Sequence, residues 1–186
     1  TASAVLRPQT SSNVVIHVSL IEPVVGDIRV SDVGNTNPDY IRQRIGAVPG
    51  QHPEFEALAQ DLFVFSTLNN INLTAQFEPT DSPDVVDMVL KGDKPRETMT
   101  AITTDNHGAH ETGEERASAY FQNMSLTGRR DILSVNGSAT EGSRKAGISY
   151  SLPVGLKGAR LTTGSVYSKS RVVNGQLAST NLESQS

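Results

Sequence analysis

The sequence predicts two architectures in one chain: an α+β domain of order β-α-α-β-β, then antiparallel strands that fit the wall of a transmembrane β-barrel. Three observations carry this. Strand and helix signals mix up to about Lys94, whereas the rest is rich in Ser, Thr, Gly and Asn with almost no helical periodicity. The later strands alternate apolar with small polar residues, as a wall between lipid and water requires. No run of roughly 18 apolar residues occurs, so no transmembrane helix is expected, whereas membrane-crossing strands are short and only half apolar. A soluble sandwich gives similar alternation, so this pattern alone leaves both open.

The first strand is expected at Asn13 to Leu20, where Val14, Ile16 and Val18 alternate with Val15, His17 and Ser19. Pro23 and Gly26 punctuate the chain before a second strand, Val25 to Val33, with Ile28 and Val30 on one face. A helix starts near Asn37, which suits a cap, with Pro38 in its first turn and Asp39 at the positive end of the dipole. Ile41 and Ile45 share a face, and Gly46 is placed to stop this helix. A second helix runs from Pro53 to about Leu68 with Phe55, Leu58, Leu62 and Phe65 on one stripe. Strands follow at Ile71 to Phe77 and, after Ser82-Pro83, at Val85 to Leu90. This order buries one core between a helix pair and a small mixed sheet.

Composition shifts at Lys91-Gly92-Asp93-Lys94-Pro95. Beyond it, strands are expected at Arg96–Thr104, Arg116–Leu126, Asp131–Ala139, Lys145–Pro153 and Ala159–Tyr167. Their joins alternate between tight (Thr127 to Arg130, Gly155 to Gly158) and looser, as at the charged stretch His107 to Glu114. Leu133, Val135, Gly137 and Ala139 alternate with Ser134, Asn136 and Ser138, and Ile148, Tyr150 and Leu152 with Gly147, Ser149 and Ser151.

The 186 residues carry a formal net charge of -4 and no cysteine. Mild acidity gives no reason to expect nucleic acid as a partner, and disulfides and thiolate metal sites are impossible. Thr1 opens the chain without a methionine or a charged-then-apolar leader, so a signal peptide is expected to be missing or already removed.

The residues now in view carry a family likeness. Asp61-Leu62, Leu68-Asn69, Phe77-Glu78-Pro79 and Asp84 to Val89 resemble, in order, the second POTRA domain of two-partner secretion transporters, the hemolysin-activator and adhesin-exporter family. Asn70-Ile71 stands where the family often has Pro-Gly, so a different turn into the next strand is expected. Asp105-Asn106-His107-Gly108 with Thr112-Gly113 resembles the first barrel hairpin, Gly128-Arg129-Arg130-Asp131 the periplasmic turn before the third strand, and Ser149 to Gly155 the fourth strand and its turn. The likeness covers roughly residues 14 to 170, in the family's order.

This resemblance implies residues 1–22 as the end of a preceding POTRA domain, 23–94 as a POTRA domain, and 95–186 as the first strands of an outer-membrane β-barrel, truncated before its long inserted loop. At least roughly eight strands close a barrel, so these cannot close one alone. It implies an outer-membrane transporter whose periplasmic POTRA domain recognises an unfolded partner, an adhesin or hemolysin, which the barrel conducts outward with energy from the partner's folding outside. Outer-membrane lipid is the other expected partner; no cofactor, nucleic acid or small-molecule substrate is expected. In the family's sheet order Ile71 to Phe77 is the outer strand, so Ile71, Asn72, Leu73, Thr74, Ala75, Gln76 and Phe77 are the expected partner-binding residues. Their backbone groups would pair with an incoming strand while Leu73 and Ala75 offer shallow apolar contacts. Asn13-Val14-Val15 offers a second edge. A barrel-assembly factor of the same superfamily and a secreted β-solenoid adhesin are the alternatives. A solenoid predicts a repeat of about 20–30 residues, and none is seen.

No catalytic or metal site is expected. His107, His110, Glu111 and Glu114 lack the spacing of a zinc helix and read as a solvated loop. His17 and His52 are isolated. Glu54/Glu56, Asp84/Asp87 and Glu114/Glu115 have no neighbouring nucleophile and read as solvated charge. The basic turn Gly128-Arg129-Arg130 reads as a hairpin. The sequons Asn72-Leu73-Thr74 and Asn136-Gly137-Ser138 carry no functional weight, and phosphate-loop and nucleophile-elbow motifs are lacking.

Overall fold

The computed structural model describes residues 21–156, 158–176, 178–180 and 182–186. The expected strand Asn13 to Leu20, with His17 and the Asn13-Val14-Val15 edge, lies outside them. The chain divides into two compact units: the described residues up to 33 with 38–95, and 34–37 with those from 96 onward.

The first unit runs β1 (Val24–Ser31), α1 (Pro38–Arg42), α2 (Phe55–Asn69), β2 (Thr74–Pro79) and β3 (Val85–Lys91), the order the sequence predicts. Its sheet order is β1-β3-β2, with β1 parallel and β2 antiparallel to β3. The parallel pair needs a long crossover, which includes both helices; the antiparallel pair needs only the turn at residues 80–84. A register shift between Val25 and Ile28 turns both side chains inward. Gly26 sits in that irregularity, where a Cβ would lie 2.6 Å from Asp87 Oδ1.

The core joins Val25 and Ile28 of β1, Ile41, Ile45, Leu58, Phe65, Ile71, Leu73, and Met88 and Leu90 of β3. Burying each large side chain contributes about 1.5–3 kcal/mol. Two helix expectations need correction. α1 ends at Arg42, short of Gly46, although Ile45 N–H still reaches Ile41 O at 3.2 Å. Gly46 N–H instead donates to Asp61 on α2 at 2.8 Å. In α2 only Leu58, Leu62 and Phe65 of the expected stripe face the core; Phe55 opens the helix and is 57% exposed. Asn70 then takes a left-handed conformation (φ 50°), which asparagine tolerates better than most residues, and turns the chain toward β2.

In the second unit β4 (Thr98–Asp105), β5 (Arg116–Asn123), β6 (Ile132–Ala139), β7 (Ser143–Val154), β8 (Ala159–Arg171) and β9 (Glu183–Gln185) form one antiparallel sheet in chain order. Every neighbour is a hairpin, unlike the coils of a solenoid. The sheet is not closed: among the described residues β4 and β9 are both edges. Register settles the two faces. Thr100, Phe121, Val135 and Ile148 form one row, and Ile102, Ala119, Gly137, Ala146 and Tyr167 the next on the same face. The other face carries Ser118, Ser138, Lys145 and Ser168, then Gln122, Ser134 and Ser149, with Val166 an apolar exception. On this face a cleft of about 410 Å³ is lined by Tyr120, Asn136, Lys145 and neighbours. One apolar face and one wet face is the arrangement of a membrane barrel wall.

The expected alternation of tight and loose joins does not hold. β5 stops at Asn123 rather than Leu126, so its connection to β6 spans 124–131, while β6 and β7 are joined by only Thr140 to Gly142. The longer turn is held by buried polar groups. Asp131, fully buried, accepts hydrogen bonds from Thr127 N–H (2.9 Å), the Thr127 hydroxyl (2.9 Å) and the Tyr150 hydroxyl (2.8 Å). Arg130, also buried, adopts a positive φ, and its carbonyl accepts from Arg160 at 2.9 Å.

Candidate functional site

The expected partner-binding strand is shorter and later than the sequence suggests. Ile71, Asn72 and Leu73 precede β2, and Ile71 and Leu73 are buried in the core. Leu73 therefore offers nothing to a partner, and Ala75 packs against the same core. Thr74, Ala75, Gln76 and Phe77 do lie on β2, an outer strand of its sheet among the described residues.

Backbone parity decides which of them face outward. Val24 N–H donates to Asp84 O, and Gly92 N–H to Ser31 O, so the even-numbered residues of β3 bond to β1. Its odd-numbered residues Lys91, Val89 and Asp87 therefore bond to their β2 partners Thr74, Gln76 and Glu78. The backbone groups of Ala75, Phe77 and Pro79 point to the open edge. Pro79 has no N–H to donate, which this outward position tolerates. Among the described residues the edge thus presents two N–H groups, those of Ala75 and Phe77.

Beside this edge lies a cleft of about 340 Å³, lined by Ile21, Pro23, His52, Pro53, Phe55, Phe77 and Val86 among others. The Phe55 and Phe77 rings meet edge to face, 5.6 Å between centroids. Helix start and strand end are 22 positions apart in sequence, so this pairing is invisible to periodicity. On the exposed face of the sheet Arg29 bridges the carboxylates of Glu78 and Asp87, which are opposite one another in the register. These groups are partly solvated, so the bridge contributes little stability.

The acidic and histidine clusters stay apart. His110 Nδ1 lies 3.1 Å from Glu114, while His107 sits near Asp105 at 3.8 Å, both rings exposed. Among the described residues no group of three or more His, Asp or Glu is placed to hold a metal ion. Burial alone would raise the pKa of Asp131, but the hydrogen bonds from Thr127 and Tyr150 outweigh it and hold the carboxyl below its ordinary value. No helix among the described residues is long and apolar enough to cross a membrane.

Comparison with known proteins places this architecture. The family model of the haemolysin secretion/activation protein ShlB/FhaC/HecB matches residues 85–186. Among solved structures, BamA from Haemophilus ducreyi lacking POTRA domains 1-3 is similar at a TM-score of 0.60 and 18% identity, over 92% of this chain and 33% of that one. CdiB from Escherichia coli is similar at 0.59 and 17% identity, over 94% and 34%. CdiB from Acinetobacter baumannii follows at 0.51 and 17%, over 88% and 32%. At these identities the likeness shows the fold, an α+β POTRA-like unit followed by part of a β-barrel. The chain spans about a third of the length of these structures. No curated protein matches it in sequence.

Proposed function

The chain belongs to the haemolysin secretion/activation family ShlB/FhaC/HecB, and from that membership we propose that it takes up a large secreted protein, an adhesin or haemolysin, and passes it outward through a barrel. The family is one of outer-membrane transporters with periplasmic POTRA domains, and it is not enzymatic. The family match favours export over barrel assembly, an activity that the fold alone would also allow.

The observation that carries the proposed uptake is the open edge of β2. An unfolded partner adds a strand there by pairing with the backbone of Ala75 and Phe77, which tolerates varied sequence. An apolar side chain of the added strand enters the Phe55–Phe77 cleft. Thr74, Gln76 and Glu78 already serve β3 and hold the edge in place.

The test is a pair of proline substitutions in the full-length transporter. Ala75→Pro removes an outward N–H and leaves the β2–β3 ladder intact; it should reduce partner export while the barrel still inserts. Thr74→Pro removes a ladder bond and should destabilise the unit itself. Normal export by Ala75→Pro, with the domain confirmed folded, places recognition elsewhere.

A further inference from the structure

We propose that Arg144, Lys169 and Arg171 form a site for the phosphorylated headgroup of an outer-leaflet glycolipid. The argument begins with the register. Arg144 on β7 and Lys169 on β8 are directly opposite, on the same face as Ala146, Tyr167, Ile148 and Leu161. Arg171 stands two residues further along β8, on that face again. Two cations opposed across a strand pair repel, and the third lies diagonal to them.

Nearby carboxylates do not resolve this repulsion. Glu183 on β9 reaches Lys169 at 3.4 Å, although its register partner is Arg171. Glu141 also lines the polar cleft of about 230 Å³ that holds the three cations. Neither the Arg144 nor the Arg171 guanidinium has an acceptor among the described residues. Three cations against two carboxylates leave the cleft positive, with two planar donor groups suited to a tetrahedral oxyanion.

Their height on the wall identifies the anion's source. β4 begins where the chain leaves the first, periplasmic unit, so the Asp105 end of the sheet faces the cell exterior. Arg144, Lys169 and Arg171 lie at that end. Below them on the apolar face, Ala146 to Val154 rises about 27 Å along the strand, or about 21 Å of depth at a tilt of about 40°. Tyr167, opposite Ala146, marks the interface where aromatic girdles sit. One row further out is the depth of lipid phosphates, where membrane-facing cations favour anionic headgroups.

The site is tested on the full-length transporter in neutral detergent, by titration with bisphosphorylated lipid A. Removing both guanidinium groups in R144A/R171A should weaken binding by about tenfold or more. The charge-conserving R144K/R171K should bind more tightly than R144A/R171A but more weakly than wild type, since an ammonium keeps the charge and loses the planar pair of donors. Dephosphorylated glycolipid should bind wild type no better than it binds R144A/R171A, and Lys145→Ala, on the polar face, should leave lipid A binding unchanged. Heat-modifiable gel mobility confirms that each variant is folded. Equal lipid A binding by wild type and R144A/R171A overturns the proposal, as does an equal loss in Lys145→Ala, which would mean diffuse charge attraction. Inorganic phosphate binding as tightly as the lipid also overturns it, in favour of a soluble anion site.

Discussion

The Tyr150 hydroxyl, on β7, donates to Asp131 Oδ2 across 2.8 Å and ties the turn before β6 to the next strand. The same carboxylate accepts from both the backbone and the hydroxyl of Thr127, so one buried carboxylate closes the 127–131 part of the connection. Asp131→Ala leaves those donors without their acceptor and should destabilise the folded barrel by about 1–3 kcal/mol. Urea denaturation of the full-length protein in detergent measures this.

That carboxylate also sets a pH dependence. Its folded pKa is depressed, so its contribution to stability is complete above the unfolded value of about 4 and is lost as pH falls through the folded value. Barrel stability should therefore drop on acidification below about pH 4, and Asp131→Asn should remove that part of the drop. An identical acid profile in Asp131→Asn would assign the loss to other carboxylates.

The core of the first unit predicts an unequal cost for two leucines. Leu90 on β3 is fully buried, whereas Leu62 on α2 is only partly buried against the same cluster. Leu90→Ala should cost about 2–5 kcal/mol in a denaturant melt of residues 21–95, and Leu62→Ala distinctly less. Equal costs would show that α2 packs more closely than its exposure indicates.

The second unit should not behave as a soluble domain. Ile102, Ile148 and Leu161 are exposed on one face, at 79%, 52% and 63%, and among the described residues β4 and β9 leave two unpaired edges. Exposed apolar area and open edges both drive association. Residues 96–186 expressed alone should aggregate in detergent-free buffer. A monomeric, cooperatively folding product in sedimentation and melting experiments would contradict the membrane assignment of this face.

Periodicity by itself was enough for the order of elements, because alternation and helical stripes are local consequences of which side chains leave water. Ile148, Tyr150 and Leu152 declare one face of β7, and Leu58 and Phe65 one side of α2, without reference to anything distant. Features that depend on pairing were not legible. The free N–H groups of Ala75 and Phe77 follow from which residues of β3 bond to β1, a relation between strands about sixty positions apart. The burial of Leu73, the Phe55–Phe77 contact and the Arg144–Lys169 opposition likewise exist only once register is set. Local hydropathy determined that this chain makes a small α+β unit and a two-faced sheet; hydrogen-bond register in the folded chain decided which groups on them remain available to another molecule.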